Sequence, residues 1–234
     1  MSDIIQPIPH IGFPNIEKFS VVDKEEPLVS LTNAGLLCES QYYRQRIKGA
    51  YKDCYARRTV VDMLLNAEAI LSDMHLHLKI YDAYRPWSVQ NSLWQFYRKQ
   101  IAENNKLATE EEIDFMTSYF VSKPGRDTMQ PFVHNTGGAV DLTLVDNDFN
   151  ELNMGTAFDD FSCKAWSDYY ESYDIDDAIR ENRRILYNIM HEVGFTNLPS
   201  EWWHYDYGTK FWGYFTNQAA LYSGILDADF PDRI

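Results

Sequence analysis

Cysteine is scarce in this chain. Cys38, Cys54 and Cys163 are the only three in 234 residues, they lie far apart, and none belongs to a CxxC pair. Neither a disulfide framework nor a zinc–thiolate site is indicated, and the three thiols are expected to act as small buried hydrophobes. Positive charge is also short: 21 Lys and Arg face 35 Asp and Glu, a formal net charge of −14 at pH 7. A phosphate-binding surface needs a basic stripe, so nucleic acid is not an expected partner, and neither is an anionic membrane. No apolar run approaches the roughly 20 residues of a membrane-crossing helix. The opening residues, Met1 to His10, show no basic segment followed by an apolar one, which gives the expectation of a cytoplasmic protein. Low-complexity tracts and internal repeats are missing too.

Aromatics, by contrast, are plentiful, with 6 Trp, 16 Tyr and 13 Phe. Together with 45% apolar and 24% charged residues they describe an ordinary globular protein with a sizeable core. A single domain spanning 1–234 is expected. Residues 1–40, punctuated by Pro7, Pro9, Pro14 and Pro27, read as an extended N-terminal arm with a short strand near Phe19 to Val22.

Helices and short strands then interleave. Arg57 to Met74 carries Val60, Val61, Leu64, Leu65, Ala67 and Leu71 at helical spacing. Leu76 to Asp82 alternates as a half-buried strand does and stops at Tyr84-Arg85-Pro86. Trp87 to Glu103 reads as a helix with Val89, Leu93, Trp94, Phe96 and Tyr97 inward. Thr109 and Glu112 form a capping-box signature for another, through about Phe120. Gly138 to Val145 reads as a strand, turning at Asp146-Asn147-Asp148 toward Glu151-Leu152-Asn153. Met154 to Tyr173 is acidic and irregular. Asp174 opens a helix lined by Ile175, Ala178, Ile179, Ile185, Leu186, Ile189 and Met190, which Gly194 closes. A last strand runs through Trp202 to Tyr207. This order predicts an α+β fold, a small antiparallel sheet with helices packed on it and a functional site in a central cleft.

The chemistry gathers in Phe132-Val133-His134-Asn135-Thr136-Gly137-Gly138-Ala139-Val140-Asp141-Leu142-Thr143-Leu144. His134 and Asp141 are ligand types that hold a divalent metal. Gly137 and Gly138 let the intervening backbone bend. Asp141 falls on one strand face, with Val140, Leu142 and Leu144 on the other. A carboxylate buried there needs a positive partner. On residue type alone, a hydrogen-bonded His–Asp pair in a structural loop would serve as well.

Two further segments carry reactive groups: Tyr81-Asp82-Ala83-Tyr84-Arg85-Pro86 and Glu201-Trp202-Trp203-His204. In this order the three resemble the D-Ala-D-Ala dipeptidases of the VanX type, among the zinc peptidases related to D-alanyl-D-alanine carboxypeptidases. The resemblance runs from about Tyr42 to Tyr207. It takes in Asp141-Leu142-Thr143-Leu144, Met154-Gly155-x-x-Phe158-Asp159 and Glu181-Asn182-Arg183-Arg184 upstream of Gly194-Phe195. It implies one Zn²⁺ per chain held by His134, Asp141 and His204, with Glu201 as general base. Arg85 is implied to steady the transition state and Asp159 to hold the substrate's ammonium. Where that family usually has a serine two residues before the first histidine, this chain has Phe132. Where it has a Tyr-Ala-Thr-like segment, this chain has Tyr42-Tyr43-Arg44-Gln45-Arg46, from which Tyr42 or Tyr43 is expected to reach the substrate.

Two imidazoles and a carboxylate leave zinc an open position for water, the catalytic pattern, whereas a structural zinc takes four protein ligands. Related readings are a zinc D,D- or L,D-carboxypeptidase on longer peptidoglycan peptides and a non-catalytic metal-containing binding module. Glu201 and His204 are three apart, which in a flat strand puts them on opposite faces. Glu201 is therefore expected at the strand's entry, after Pro199-Ser200. His75 and His77 are read as satisfied or exposed rather than as a second metal site, and Trp202 and Trp203 as core and cleft wall.

Overall fold

A computed structural model describes residues 5–16, 18–172 and 176–234 of the chain. The first elements are short: β1 (Leu28–Ser30), β2 (Leu37–Cys38), the one-turn helix α1 (Gln41–Arg44) and β3 (Tyr55–Arg57). β1 and β3 pair antiparallel as a ribbon. The long helix α2 (Arg58–Ser72) leads into β4 (Leu76–Asp82), then α3 (Trp87–Asn104) and α4 (Glu110–Thr117). β5 (Ala139–Asp146), α5 (Asp177–Glu192), β6 (Thr196–Asn197), β7 (His204–Asp206) and α6 (Lys210–Thr216) complete the order.

The main sheet has the order β2-β4-β5-β7-β6. Its pairs are antiparallel except at one edge, where the two-residue β2 runs parallel to β4. The α+β expectation holds. One face of the sheet carries Leu78, Ile80, Val140, Leu142 and Leu144, against which α2 packs Val60, Val61, Leu64, Ala67 and Leu71, and α5 packs Leu186, Ile189 and Met190. Each of these side chains removed from water stabilises the fold by about 1.5–3 kcal/mol before its entropy cost. The opposite face is left for chemistry.

The helix ends follow their caps. Thr109 and Glu112 form the reciprocal capping box. Asp176 accepts the amides of Ala178 and Ile179, satisfying two donors that α5 itself leaves unpaired. Gly194, at φ 102°, ends that helix. The predicted helix start at Asp174 and Ile175 lies outside the described residues.

Several expectations are corrected. Residues 28–38 hold two strands where an extended arm was expected, because β1 and β2 exist only through partners distant in sequence. The expected strand near Phe19 reduces to one bridge between Val21 and Ala220. Phe96 is 55% exposed rather than inward. Cys54 is buried, but Cys38 is only partly so and Cys163 is exposed. Trp202 and Trp203 lie in a turn before β7 rather than in the strand, both buried in the core. His77 is satisfied by Glu68, with Nδ1 2.6 Å from Oε1.

Candidate active site

Register alone brings the first reactive groups together. Asp141 in β5 stands opposite His204 in β7 on one side and Asp82 in β4 on the other. Directly opposed side chains share a face and stand within roughly 5.5 Å at Cβ. Asp82 reaches this row because the β4–β5 register shifts between Ile80 and Asp82. Without that irregularity Tyr81 would occupy the place.

His134 arrives from a single 3-10 turn, Val133–Thr136, which ends at Gly137 with φ 71°. A side chain there would be strained. At Gly138 a Cβ would come 2.4 Å from the Tyr207 carbonyl oxygen, so the close approach of that strand needs glycine. The Arg57 guanidinium donates to the Thr136 carbonyl at 2.7 Å and holds the turn from beneath.

Glu201 sits on the tight turn before β7, as expected. Its amide donates to the Leu198 carbonyl at 3.0 Å, and the His204 amide donates to the Glu201 carbonyl at 3.2 Å. The turn resolves the spacing problem: Glu201 Oε2 lies 3.9 Å from His204 Nδ1. Asn197 fastens it, donating from Nδ2 to the carbonyls of both Glu201 (3.0 Å) and His204 (2.9 Å). The Ser167 hydroxyl donates to Asn197 Oδ1 at 2.6 Å.

Among the described residues, His134, Asp141 and His204 are the cluster whose ligand atoms converge closely enough for a metal ion. His134 Nε2 is 3.3 Å from His204 Nδ1 and 3.3 Å from Asp141 Oδ2, and His204 Nδ1 is 3.0 Å from Asp141 Oδ1. Two ligands at the usual ~2.05 Å from zinc, set at tetrahedral angles, stand about 3.3 Å apart. The outward ring nitrogens fix the tautomers. His134 Nδ1 faces the Ala83 carbonyl at 2.8 Å, and His204 Nε2 faces Asp206 Oδ2 at 3.0 Å. Both inner nitrogens then present lone pairs to a carboxylate, a set of acceptors that a cation satisfies. The residues fit a metal.

The buried carboxylates also shift the titrating groups around them. Burial opposes ionisation of Asp141, but His134 and His204 outweigh it and hold the carboxyl well below its usual range. Burial also opposes a charged His204, yet Asp206 and Asp141 push its imidazole well up. Burial raises the Glu201 carboxyl.

Arg85 is buried beside this cluster. Its Nε donates to Asp82 at 2.8 Å, Nη1 to Gln90 at 3.1 Å and Nη2 to Asp141 at 3.4 Å. The guanidinium stacks over the Tyr42 ring, 4.6 Å from its centre. The Tyr42 hydroxyl donates to Asp159 Oδ2 at 3.2 Å. Burial, only partly offset by Arg85, pushes Asp159 up to about 7. All of these except Asp82 line a cleft of about 580 Å³, together with His134, Asp141, Glu201 and His204. Tyr43 is elsewhere: it packs against the cluster of Tyr42, Ala50, Val89 and Leu93 and does not line the cleft.

Sequence reasoning missed Asp82, Gln90, Asp206 and Asn197. Asp206 had a signal, since it shares a strand face with His204 two residues away. Asn197 had none, because it acts on main-chain carbonyls. A third hidden clamp is Arg183 of α5, buried and donating to the carbonyls of Met154, Lys164 and Trp166. It holds the loop that carries Asp159.

A cleft that brings together a metal-competent cluster, an adjacent acid and a buried arginine is an arrangement that peptide hydrolysis can use. The chain belongs to the D-ala-D-ala dipeptidase family, whose model matches residues 37–221. It is similar to the D-alanyl-D-alanine dipeptidase of Synechocystis sp., at 25% identity over 90% of this chain and 91% of that one. With the D-alanyl-D-alanine dipeptidase of Escherichia coli it shares 32% identity over 65% of this chain and 66% of that one. Among solved structures it is similar to VanYB in complex with D-alanine-D-alanine, at 14% identity and a TM-score of 0.41, covering 74% of this chain and 84% of that one. So loose a structural likeness transfers no ligand.

Proposed function

We propose that the protein hydrolyses D-Ala-D-Ala or a closely similar dipeptide, with one zinc ion held by His134, Asp141 and His204 and with Glu201 as general base. The observation that carries this reading is the convergence of one nitrogen each from His134 and His204 on the Asp141 carboxylate, 3.3 Å from each other and 3.3 and 3.0 Å from its Oδ2 and Oδ1, with both imidazoles held by partners on their far sides. Family membership supplies the substrate class. Zinc, when bound, brings the pKa of a bound water from about 16 to near 7.

The remaining work falls to side chains. Glu201, its carboxyl raised by burial, takes a proton from the attacking water and later delivers it to the departing amine. Arg85 has N–H groups beyond those given to Asp82, Gln90 and Asp141, and these face the oxyanion that develops on the scissile carbonyl. Asp159 pairs with the substrate's free ammonium. A carboxylate in the cleft wall favours a dipeptide over a longer, amide-capped peptide, whose nitrogen has no charge to offer. Asp206 keeps the His204 ring in place.

The decisive experiment is a panel of D,D-, L,D- and L,L-dipeptides assayed with zinc present and after chelation. D,D-hydrolysis that vanishes with the metal and returns on its addition is expected. Turnover that survives chelation, or confinement to L,L-substrates, would end the proposal.

Two finer results are expected. Asp206→Asn lowers zinc affinity about 10–100-fold, measured by competition with a chelating dye, because the negative charge behind the His204 ring is lost and only a neutral amide oxygen remains to accept its proton. KM for the dipeptide rises as pH falls below about 7, where Asp159 takes up a proton and loses its hold on the ammonium. At higher pH the carboxylate is charged and KM levels off. A KM flat from pH 5 to 8 would remove Asp159 from substrate binding.

A further inference from the structure

The cleft holds more space, and more aromatic surface, than alanylalanine can use. Its volume of about 580 Å³ falls in the ~300–1,000 Å³ range of sites that enclose much larger ligands. Three of its wall residues, Tyr97, Phe120 and Phe161, form a mutual cluster. Tyr97 stacks on Phe120 at 5.9 Å and meets Phe161 edge-on at 5.8 Å, while Phe120 meets Phe161 edge-on at 5.2 Å. Phe120 and Phe161 nonetheless keep 40% and 43% of their surface exposed. Rings that contact one another yet present faces to a cleft are an apolar surface awaiting a partner.

Their position names the partner. Phe161 follows Asp159 by two residues on the same loop, and the hydroxyl of Tyr97 is raised by burial and then by the charge of Asp159. A dipeptide ammonium paired with Asp159 fixes the α-carbon one bond away, and the side chain on that carbon then has these rings of the same cleft within its reach. A methyl leaves them wet, whereas an isobutyl or benzyl group covers them.

We infer that Tyr97, Phe120 and Phe161 form the subsite for the side chain of the substrate's N-terminal residue, and that the enzyme prefers D,D-dipeptides with a large apolar residue there. This rests on the proposed dipeptidase reading and on Asp159 as the ammonium site. Phe132, also in the cleft lining, adds apolar surface two residues before His134.

The test compares kcat/KM of the zinc-loaded full chain for D-Ala-D-Ala, D-Leu-D-Ala, D-Phe-D-Ala and D-Ala-D-Leu, in the parent and in Phe161→Ala. D-Leu-D-Ala and D-Phe-D-Ala are expected to exceed D-Ala-D-Ala by about tenfold or more. In Phe161→Ala that ratio should fall toward unity. Equal or faster cleavage of D-Ala-D-Ala overturns the inference and leaves the dipeptidase reading intact, with the rings then free for a protein partner. A preference that survives Phe161→Ala, or one for bulk in D-Ala-D-Leu instead, overturns the assignment to these rings. Failure to cleave any of the four with zinc bound strikes at the dipeptidase reading itself.

Discussion

Replacing Glu201 by alanine lowers kcat for D-Ala-D-Ala by about 10²–10⁴-fold, the usual contribution of a positioned general base, while one zinc per chain remains bound. The separation of the two effects follows from geometry. Glu201 is not one of the three converging ligand atoms, and its Oε2 stands 3.9 Å from the nearest ligand nitrogen. The turn that carries it is held by main-chain bonds and by the Asn197 amide, none of which uses the carboxylate. Fold and metal should therefore survive. Metal analysis beside steady-state kinetics decides the matter. Loss of zinc along with turnover would make Glu201 a ligand, and parental turnover would leave the reaction with a different base.

Arg85→Ala produces two losses at once. Turnover falls by about 10²–10³-fold, as when a single oxyanion donor is removed. Stability falls by on the order of 3 kcal/mol, because Asp82 is left buried without its cation. On a chain of this length that is a drop in Tm of about 10 °C. The residue reads from sequence mainly as an element of turnover, but the structure gives it equal weight in the fold. Its guanidinium ties together Asp82 of β4, Gln90 of α3 and Asp141 of β5, two strands and a helix. Arg85→Lys keeps the charge and forfeits the fork, so it should recover part of the stability and little of the rate. A variant that melts like the parent would show the Asp82 pair to be dispensable; one that turns over like the parent would take Arg85 out of the chemistry.

Long periodic elements were legible. β4 matched its expected span, while α2 and α3 fell within a residue or two of theirs, since their apolar spacing is strong enough to survive any tertiary context. β1, β2, α1, β3, β6 and α6 were not seen. They have two to seven residues and depend on partners such as the β1–β3 pairing, which sets Leu28 opposite Arg57 across 28 intervening positions and leaves no local period. At the site, His134, Asp141, Glu201 and His204 were recognisable by type and order. Asp82 was visible as a residue and opaque as a participant, because its place depends on a register shift in β4. Of the two tyrosines singled out, only a three-dimensional arrangement could choose Tyr42, since neighbours in a one-turn helix point in different directions.

The loop from Met154 to Ser167 is nailed down at its two ends through its main chain and held between them through side chains, Thr156 by Trp202, Asp159 by Tyr42 and Phe161 by its neighbouring rings. Arg183 grips Met154, Lys164 and Trp166, and Ser167 is tied to Asn197. Asp159 to Phe161 lie in that middle stretch. Lineages descending from this sequence can accordingly exchange the side chains between the nails and trial new diets, while the Glu201 turn on the far side of Asn197 goes on undisturbed.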